Sequence, residues 1–307
     1  MNEVIKENIT MLKHACLILA HEYTLVLERL VQLLDNESNG IYIHIDKKHA
    51  GIEKRKVESL QQLVKKSQIF IFCKYKVSWG TNSIVKAQKY MLTKALKRGY
   101  DYYHFLSGSD MPIKRGEEIQ RFFEQNNGME FIHFGTKQYQ HDIQQRYNVY
   151  HFFTKQLGRN RDKKVWVAAE TYSLAAQRRL HIDRTKKLDF SIYGGSNWCS
   201  ITNEFALYVV KNFHKYKKAF YFSQISDEAV WQTIVMDSPY AQNLCHDGFN
   251  NDYGANLRYI DWERGDPYVF RTGDFDDLIN SKCMFARKFD ENTDKEIIEM
   301  IYHSLGG

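Results

Sequence analysis

Apolar and polar positions follow two rhythms along this chain. In its first part, short unbroken apolar runs take turns with segments whose leucines and valines recur every three or four positions. "HACLILAH" is such a run and predicts a buried strand, whereas "TLVLERLVQLLD" has helical spacing and predicts an amphipathic helix. "GIYIHID" is β-branched and aromatic, so it reads as a second strand; "VESLQQLVKK" predicts a helix and "IFIFCK" a third strand. "NSIVKAQKYMLTKALKRG" predicts a long helix stopping at Gly99, and "DYYHFLSGSDMPIK" a strand that runs into a turn. This alternation predicts an α/β fold with a mostly parallel, Rossmann-like sheet covered by helices on both faces. Such sheets bind ligands beyond the carboxyl ends of their strands. The residues at those ends are Ala20 and His21, His44 and Asp46, and the run Ser107, Gly108, Ser109, Asp110.

From about Phe131 the rhythm loosens. "MEFIHFG" predicts a strand, and "QHDIQQRYNVYHFFTK" mixes aromatic with basic residues. "GGSNWCSIT" reads as a glycine-loosened turn into a strand, "NEFALYVVKNFHKY" and "DEAVWQTIVMD" as helices, and "NLRYIDW" as a strand. "TGDFDDLINS" opens a last helix at Asp274, followed by "CMFARKFD". No repeat or linker interrupts the chain, so one domain over 1–307 is expected. Its regular first part covers about 1–130 and its looser second part about 131–307.

Composition narrows the classes. Hydrophobic residues are 43% and charged residues 26%, which is ordinary for a folded globular chain. The aromatic share of 14% suits strands and also flat polar ligands that stack on rings. A net charge of +6 is compatible with solubility alone or with an anionic partner. The basic residues are scattered and form no arginine-rich arm, so nucleic acid is not the expected partner. Five widely spaced cysteines without a CxxC fit reduced thiols. The longest early apolar run, "ACLILA", is too short to span a bilayer, and a cytoplasmic protein is expected.

Several residues carry both a functional and a structural reading. Asp46 could accept hydrogen bonds from a nucleoside or could cap a loop. His44 and Asp46 share a strand face but lack a third ligand, so no metal site is assigned. Gly108 would let backbone approach a ligand, yet "LSGSDMPIK" also makes a tight turn held by Asp110. The "DFD" at Asp274 to Asp276 looks like a metal-binding DxD but reads better as a helix start. Arg287 and Lys288 could grip a diphosphate or could be a solvated pair. In "SQISDEAVWQTIV", Ser226 can cap a helix with Asp227 and Glu228 in its first turn. The helix dipole would stabilise those carboxylates by roughly 0.3–1 kcal/mol. A general base needs the same support, so cap and base both stand.

Taken in order, "ACLILAHEYTLVLERLVQLLDNESNGIYIHIDKK", "VSWGTNSIVKAQKYML", "YYHFLSGSDMPIK", "GGSNWCSIT", "SDEAVWQTIV", "NLRYIDW" and "FARKFD" resemble the core-2/I-branching N-acetylglucosaminyltransferases, glycosyltransferase family 14. That family also contains the peptide O-xylosyltransferases. The resemblance implies a GT-A-like variant fold, a nucleotide-sugar half over about 1–130 merged with an acceptor half over about 131–307, and an inverting transferase that uses a UDP-sugar, without metal or other cofactor. It implies Glu228 as general base. It puts Ala20, His21, Asp46, Ser107, Gly108 and Asp110 around the donor, with Lys288 on the diphosphate beside either Arg264 or Arg271. Arg146, Trp198, Asp227 and Tyr259 fall on the acceptor side. Without an animal-type anchor or disulfide set, the chain looks like a bacterial-type member. Its expected acceptor is a glycan or lipid-linked saccharide in surface polysaccharide synthesis, with peripheral contact to the inner face of the plasma membrane as a further partner. N-acetylglucosamine is the leading donor sugar. Xylose, glucose and a non-catalytic glycan-binding module are the alternatives.

Overall fold

The structure, a computed structural model, describes residues 11–159 and 161–307, excepting the side chains of 50–55 and 57. Its strands are β1 (His14–Ala20), β2 (Asn39–Ile45), β3 (Gln68–Phe72), β4 (Tyr102–Ser107), β5 (Asp110–Pro112), β6 (Ser200–Thr202), β7 (Arg258–Ile260) and β8 (Phe285–Arg287). Its helices are α1 (Leu25–Leu33), α2 (Ala50–Leu63), α3 (Ser83–Ala95), α4 (Gly116–Gln125), α5 (Lys137–Tyr147), α6 (Thr154–Leu157), α7 (Lys164–Arg179), α8 (Asn203–Phe220), α9 (Val230–Met236), α10 (Phe275–Asn280) and α11 (Lys295–Ser304).

The main sheet has the order β3-β2-β1-β4-β6. Its first four strands are parallel, and β6 pairs antiparallel with β4. Both faces are buried because strand residues alternate between two cores. Ala15 and Leu17 pack with side chains of α3, α8 and α9, such as Val85, Phe205 and Trp231. Cys16, Ile18 and Ala20 pack on the other face with Leu27 and Leu30 of α1 and Phe123 of α4. This explains why these strands read as continuous apolar runs.

The helices begin and end for local reasons. Thr24, Thr136 and Thr202 cap α1, α5 and α8 by accepting backbone N–H bonds from Leu27, Tyr139 and Phe205. Gly99 closes the turn after α3 at φ +67°, a conformation that suits glycine.

A second sheet, β5-β8-β7, packs with α10 and α11 around Met111, Phe270, Leu278, Ala286 and Ile297. Because β5 follows β4 after a two-residue turn, this sheet lies against the carboxyl end of the first.

Two expected elements differ. "MEFIHFG" forms only isolated bridges at Glu130 and Phe131. Pairing stops there because the chain turns towards 194–196, where Gly135 N–H bonds Gly194 O at 3.1 Å. The last helix is α11, not α10, and Asp294 caps it by accepting from Ile297 N–H. The aromatic and basic stretch over 140–155 supplies most of α5 and the start of α6, and α7 follows it.

Candidate active site

The carboxyl ends of β1 and β4 open onto a cleft of about 610 Å³. Strand order reverses between these two strands, which is where ligands of open α/β sheets bind. Ala20, His21, Ser107 and Gly108 line it. The Gly108 N–H bonds Leu19 O at 2.8 Å, and a Cβ on Gly108 would lie 3.1 Å from that of Ala20. The strand ends therefore touch where only a small residue fits.

Two carboxylates assigned to the donor stand behind this rim. Asp46 is buried, and its Oδ1 accepts from the N–H groups of Lys48 (3.0 Å) and Val77 (3.1 Å). It fixes the loop that carries Val77 and Trp79 into the cleft and does not itself line it. Asp110 is buried too. It accepts from the N–H and hydroxyl of Ser107 and lies 3.4 Å from the Arg287 guanidinium.

Arg287 and Lys288, at the end of β8, bring positive charge into the cleft. Phe289 N–H bonds Ser109 O at 3.0 Å, which holds this pair beside the turn after β4. The Arg287 guanidinium lies 4.4 Å from the centre of the Trp198 ring, and Trp198 also lines the cleft. Among the described residues, Lys288 has no salt-bridge partner.

The two arginines weighed for the diphosphate lie elsewhere. Arg264 is bound by Asp261 and by Asp274, the latter at 2.7 Å, and stacks on Tyr268 at 4.0 Å. Its charge is matched by two carboxylates, and it is not a lining residue. Arg271 is exposed, and its backbone N–H bonds Asp274 Oδ2 at 2.8 Å. The first acid of "DFD" is therefore engaged by arginine and backbone. Among the described residues no group of three or more His, Cys, Asp or Glu is arranged to hold a metal. Tyr259 sits on β7 with its ring 5.6 Å from Phe270, away from the cleft lining.

Asp227 and Glu228 also line the cleft. Ser226 does not cap a helix. Residues Ser226–Glu228 form a single 3₁₀ turn, α9 begins at Val230, and among the described residues the buried Ser226 hydroxyl has no hydrogen-bond partner. The turn is entered through Ile225 at φ +56°, an outlier for a β-branched residue. Tertiary bonds hold it there: Ile225 N–H to Gly80 O at 2.7 Å, and Gly195 N–H to Glu228 O at 2.8 Å. Gly195 is needed for that approach, because a Cβ on it would lie 2.0 Å from His133 O.

The Glu228 carboxylate is half-buried and accepts from the Tyr139 hydroxyl at 2.8 Å. The Arg146 guanidinium stands 3.9 Å from the same oxygen. Burial pushes the Glu228 pKa above its ordinary value, and the Tyr139 bond and the Arg146 charge pull it back. Asp227 is buried, and its pKa is pushed up to about 7, by burial first and then by the Glu228 charge. The two neighbours are thus differentiated: Glu228 has partners for its ionised form, and Asp227 is biased towards its neutral form.

Sequence reasoning missed Tyr139, although Tyr139 and Arg146 are two helical turns apart on α5 and meet the same oxygen. It also missed an aromatic wall. Tyr253 stacks on His133 at 4.1 Å, Trp262 lies 6.3 Å from Tyr253, and all three line the cleft. Burial lowers the His133 pKa to about 4, so this ring is neutral and serves as a stacking surface. No local pattern could pair residues so far apart in the chain. The high aromatic share was the one available signal.

Comparison with known proteins gives the following. The Core-2/I-Branching enzyme family model matches residues 15–279. The chain is 23% identical to xylosyltransferase 2 of Canis lupus familiaris, over 92% of the chain and 32% of that protein. It is 23% identical to xylosyltransferase 2 of Homo sapiens, with the same coverage of 92% and 32%. It is 22% identical to xylosyltransferase 1 of Mus musculus, over 91% of the chain and 29% of that protein. The chain thus spans about a third of the length of these relatives.

Proposed function

We propose, for a chain that belongs to the Core-2/I-branching enzyme family, that it transfers a sugar from a UDP-sugar to a glycan hydroxyl with inversion. One observation carries this reading: a partnered carboxylate, Glu228, and a pair of cations, Arg287 with Lys288, line one cleft. Inverting transfer needs those two functions on opposite sides of an anomeric carbon.

In this reading the diphosphate lies against Lys288 and Arg287, near the backbone of Gly108 and Ser109. Glu228 takes the proton of the acceptor hydroxyl as its oxygen attacks the anomeric carbon. The bond to the diphosphate breaks, and UDP leaves with the electron pair. The cations stabilise the charge growing on that leaving group. Tyr253, Trp262 and Trp198 offer ring faces to the sugars. No divalent ion takes part in this scheme.

N-acetylglucosamine is the first donor to test. The names of the relatives favour xylose as the second reading, since each is a xylosyltransferase. A UDP-release assay across UDP-N-acetylglucosamine, UDP-xylose and UDP-glucose, with glycan acceptors and with or without EDTA, tests the proposal. Release from one donor, unchanged by EDTA, is expected. No release from any of them, or activity that EDTA abolishes and manganese restores, would overturn it.

A further inference from the structure

α7 leaves an apolar stripe in water, although Trp166 on its inner side packs on Phe153. A surface helix ordinarily turns apolar side chains inward and polar ones to water. The residues that α7 buries are Glu170 and Gln177. Both are fully engaged: Glu170 bonds the His151 imidazole at 2.7 Å, and Gln177 bonds both the N–H and the C=O of Tyr150. Val165, Tyr172 and, just past the helix end, Leu180 point to solvent, at 76%, 77% and 72% exposure. They are the most exposed large hydrophobic side chains among the described residues. Val165 and Tyr172 are two turns apart, and the exposed Ala168, Ala175 and Ala176 share their side of the helix.

Cations stand at both ends of this apolar stripe. Lys163 and Lys164 precede it, Arg178 and Arg179 close it, and Lys186 and Lys187 follow; all are exposed and, among the described residues, without salt-bridge partners. Nearby acids do not balance them. Glu170 is turned inward, Asp183 bonds Thr185, the exposed Asp189 pairs with Lys215 at 3.4 Å, and Asp162 is exposed. An apolar stripe with lysine and arginine at both ends matches a laterally uniform anionic surface that admits apolar side chains.

We propose that the outward face of α7 docks on an anionic lipid bilayer, with Val165, Tyr172 and Leu180 entering the headgroup boundary and the flanking lysines and arginines pairing with lipid charge. The loop leading into α7 carries Arg159, which lines the cleft, so docking sets the cleft mouth beside the membrane. This inference goes beyond the transferase reading, and its test needs no turnover.

The experiment is co-sedimentation of the full chain with phosphatidylcholine vesicles, with and without phosphatidylglycerol. The chain should pellet only with the anionic vesicles, and less as salt rises. Lys163→Glu with Lys164→Glu should weaken partitioning at least ~25-fold, taking roughly fivefold per basic residue. Val165→Glu with Tyr172→Glu should cost roughly tenfold or more. Circular dichroism checks that these surface variants remain folded. No pelleting with anionic vesicles would overturn the proposal, as would pelleting that survives both double variants. Loss only in the lysine variant would mean charge adsorption without the apolar face, and would overturn it too. So would sedimentation velocity showing a dimer that the Val165/Tyr172 variant splits, since a second copy would then cover this face.

Discussion

On one side of the cleft, Ala20, His21, Ser107 and Gly108 stand at the ends of hydrogen-bonded strands, so the sheet itself fixes their positions. Elsewhere in the cleft lining, Glu228 stands on a single 3₁₀ turn entered through a left-handed isoleucine. No ladder holds it. Its place depends on Gly195, Gly80, and Tyr139 with Arg146 of α5, contributed by three separate stretches of chain. The strand-end wall is built to receive a ligand with backbone and small side chains. The turn is built to hold one carboxylate, and strain of order 1–3 kcal/mol is the usual cost of such a backbone. The first wall should tolerate side-chain changes that leave the backbone alone, and the second should not.

Four substitutions break or sharpen that contrast. The largest effect should come from Glu228→Gln, which removes the proton acceptor and keeps the shape. Turnover should fall ~10²–10⁴-fold while UDP affinity by calorimetry stays unchanged; near-full turnover would remove Glu228 from the chemistry. Lys288→Ala acts on the cation pair and should weaken UDP binding roughly tenfold to a hundredfold, as for a lost charged hydrogen bond. Unchanged affinity would mean the diphosphate lies elsewhere.

Tyr139→Phe tests how the base is held. Burial already raises the Glu228 pKa, so activity should be lost as pH falls at a higher pH than for a free glutamate. Removing the Tyr139 bond takes away support for the ionised form and raises that pKa further. The acid limb of kcat/KM should move up by about one pH unit, with turnover at high pH nearly kept. An unmoved limb would reduce Tyr139 to packing. The smallest effect should come from Arg264→Ala: its guanidinium is bound by Asp261 and Asp274 outside the cleft, so UDP affinity should not change. A drop matching that of Lys288→Ala would bring it back to the diphosphate.

The sequence was most legible where structure is local. The inner parallel strands β1, β2 and β4 could be read because each is buried on both faces and bounded by turns, and the ends of β1 and β4 name Ala20, His21, Ser107 and Gly108 directly. Ordered motifs pointed to Glu228 and Lys288, which the fold brings to one cleft. Asp46 and Asp110 were visible as strand-end acids, but whether such an acid faces a ligand or its own backbone depends on loops returning from elsewhere. Here the loop at Val77 and the turn at Ser107 claim them. Arg264, Arg271 and Tyr259 fell to the same uncertainty, since β7 and its neighbours fold into the second sheet.

What the sequence determined by itself was therefore the parallel sheet, its open carboxyl edge and the residue types along that edge. Periodicity and turn chemistry act within a few residues and are written into the chain. Only the tertiary structure decided that Tyr139 and Arg146 meet Glu228, that Arg287 rather than Arg264 joins Lys288 in the cleft, and that α7 leaves an apolar stripe in water. Those outcomes rest on contacts between residues 19 to 89 positions apart, and on which buried polar group finds a partner first, which no local pattern encodes.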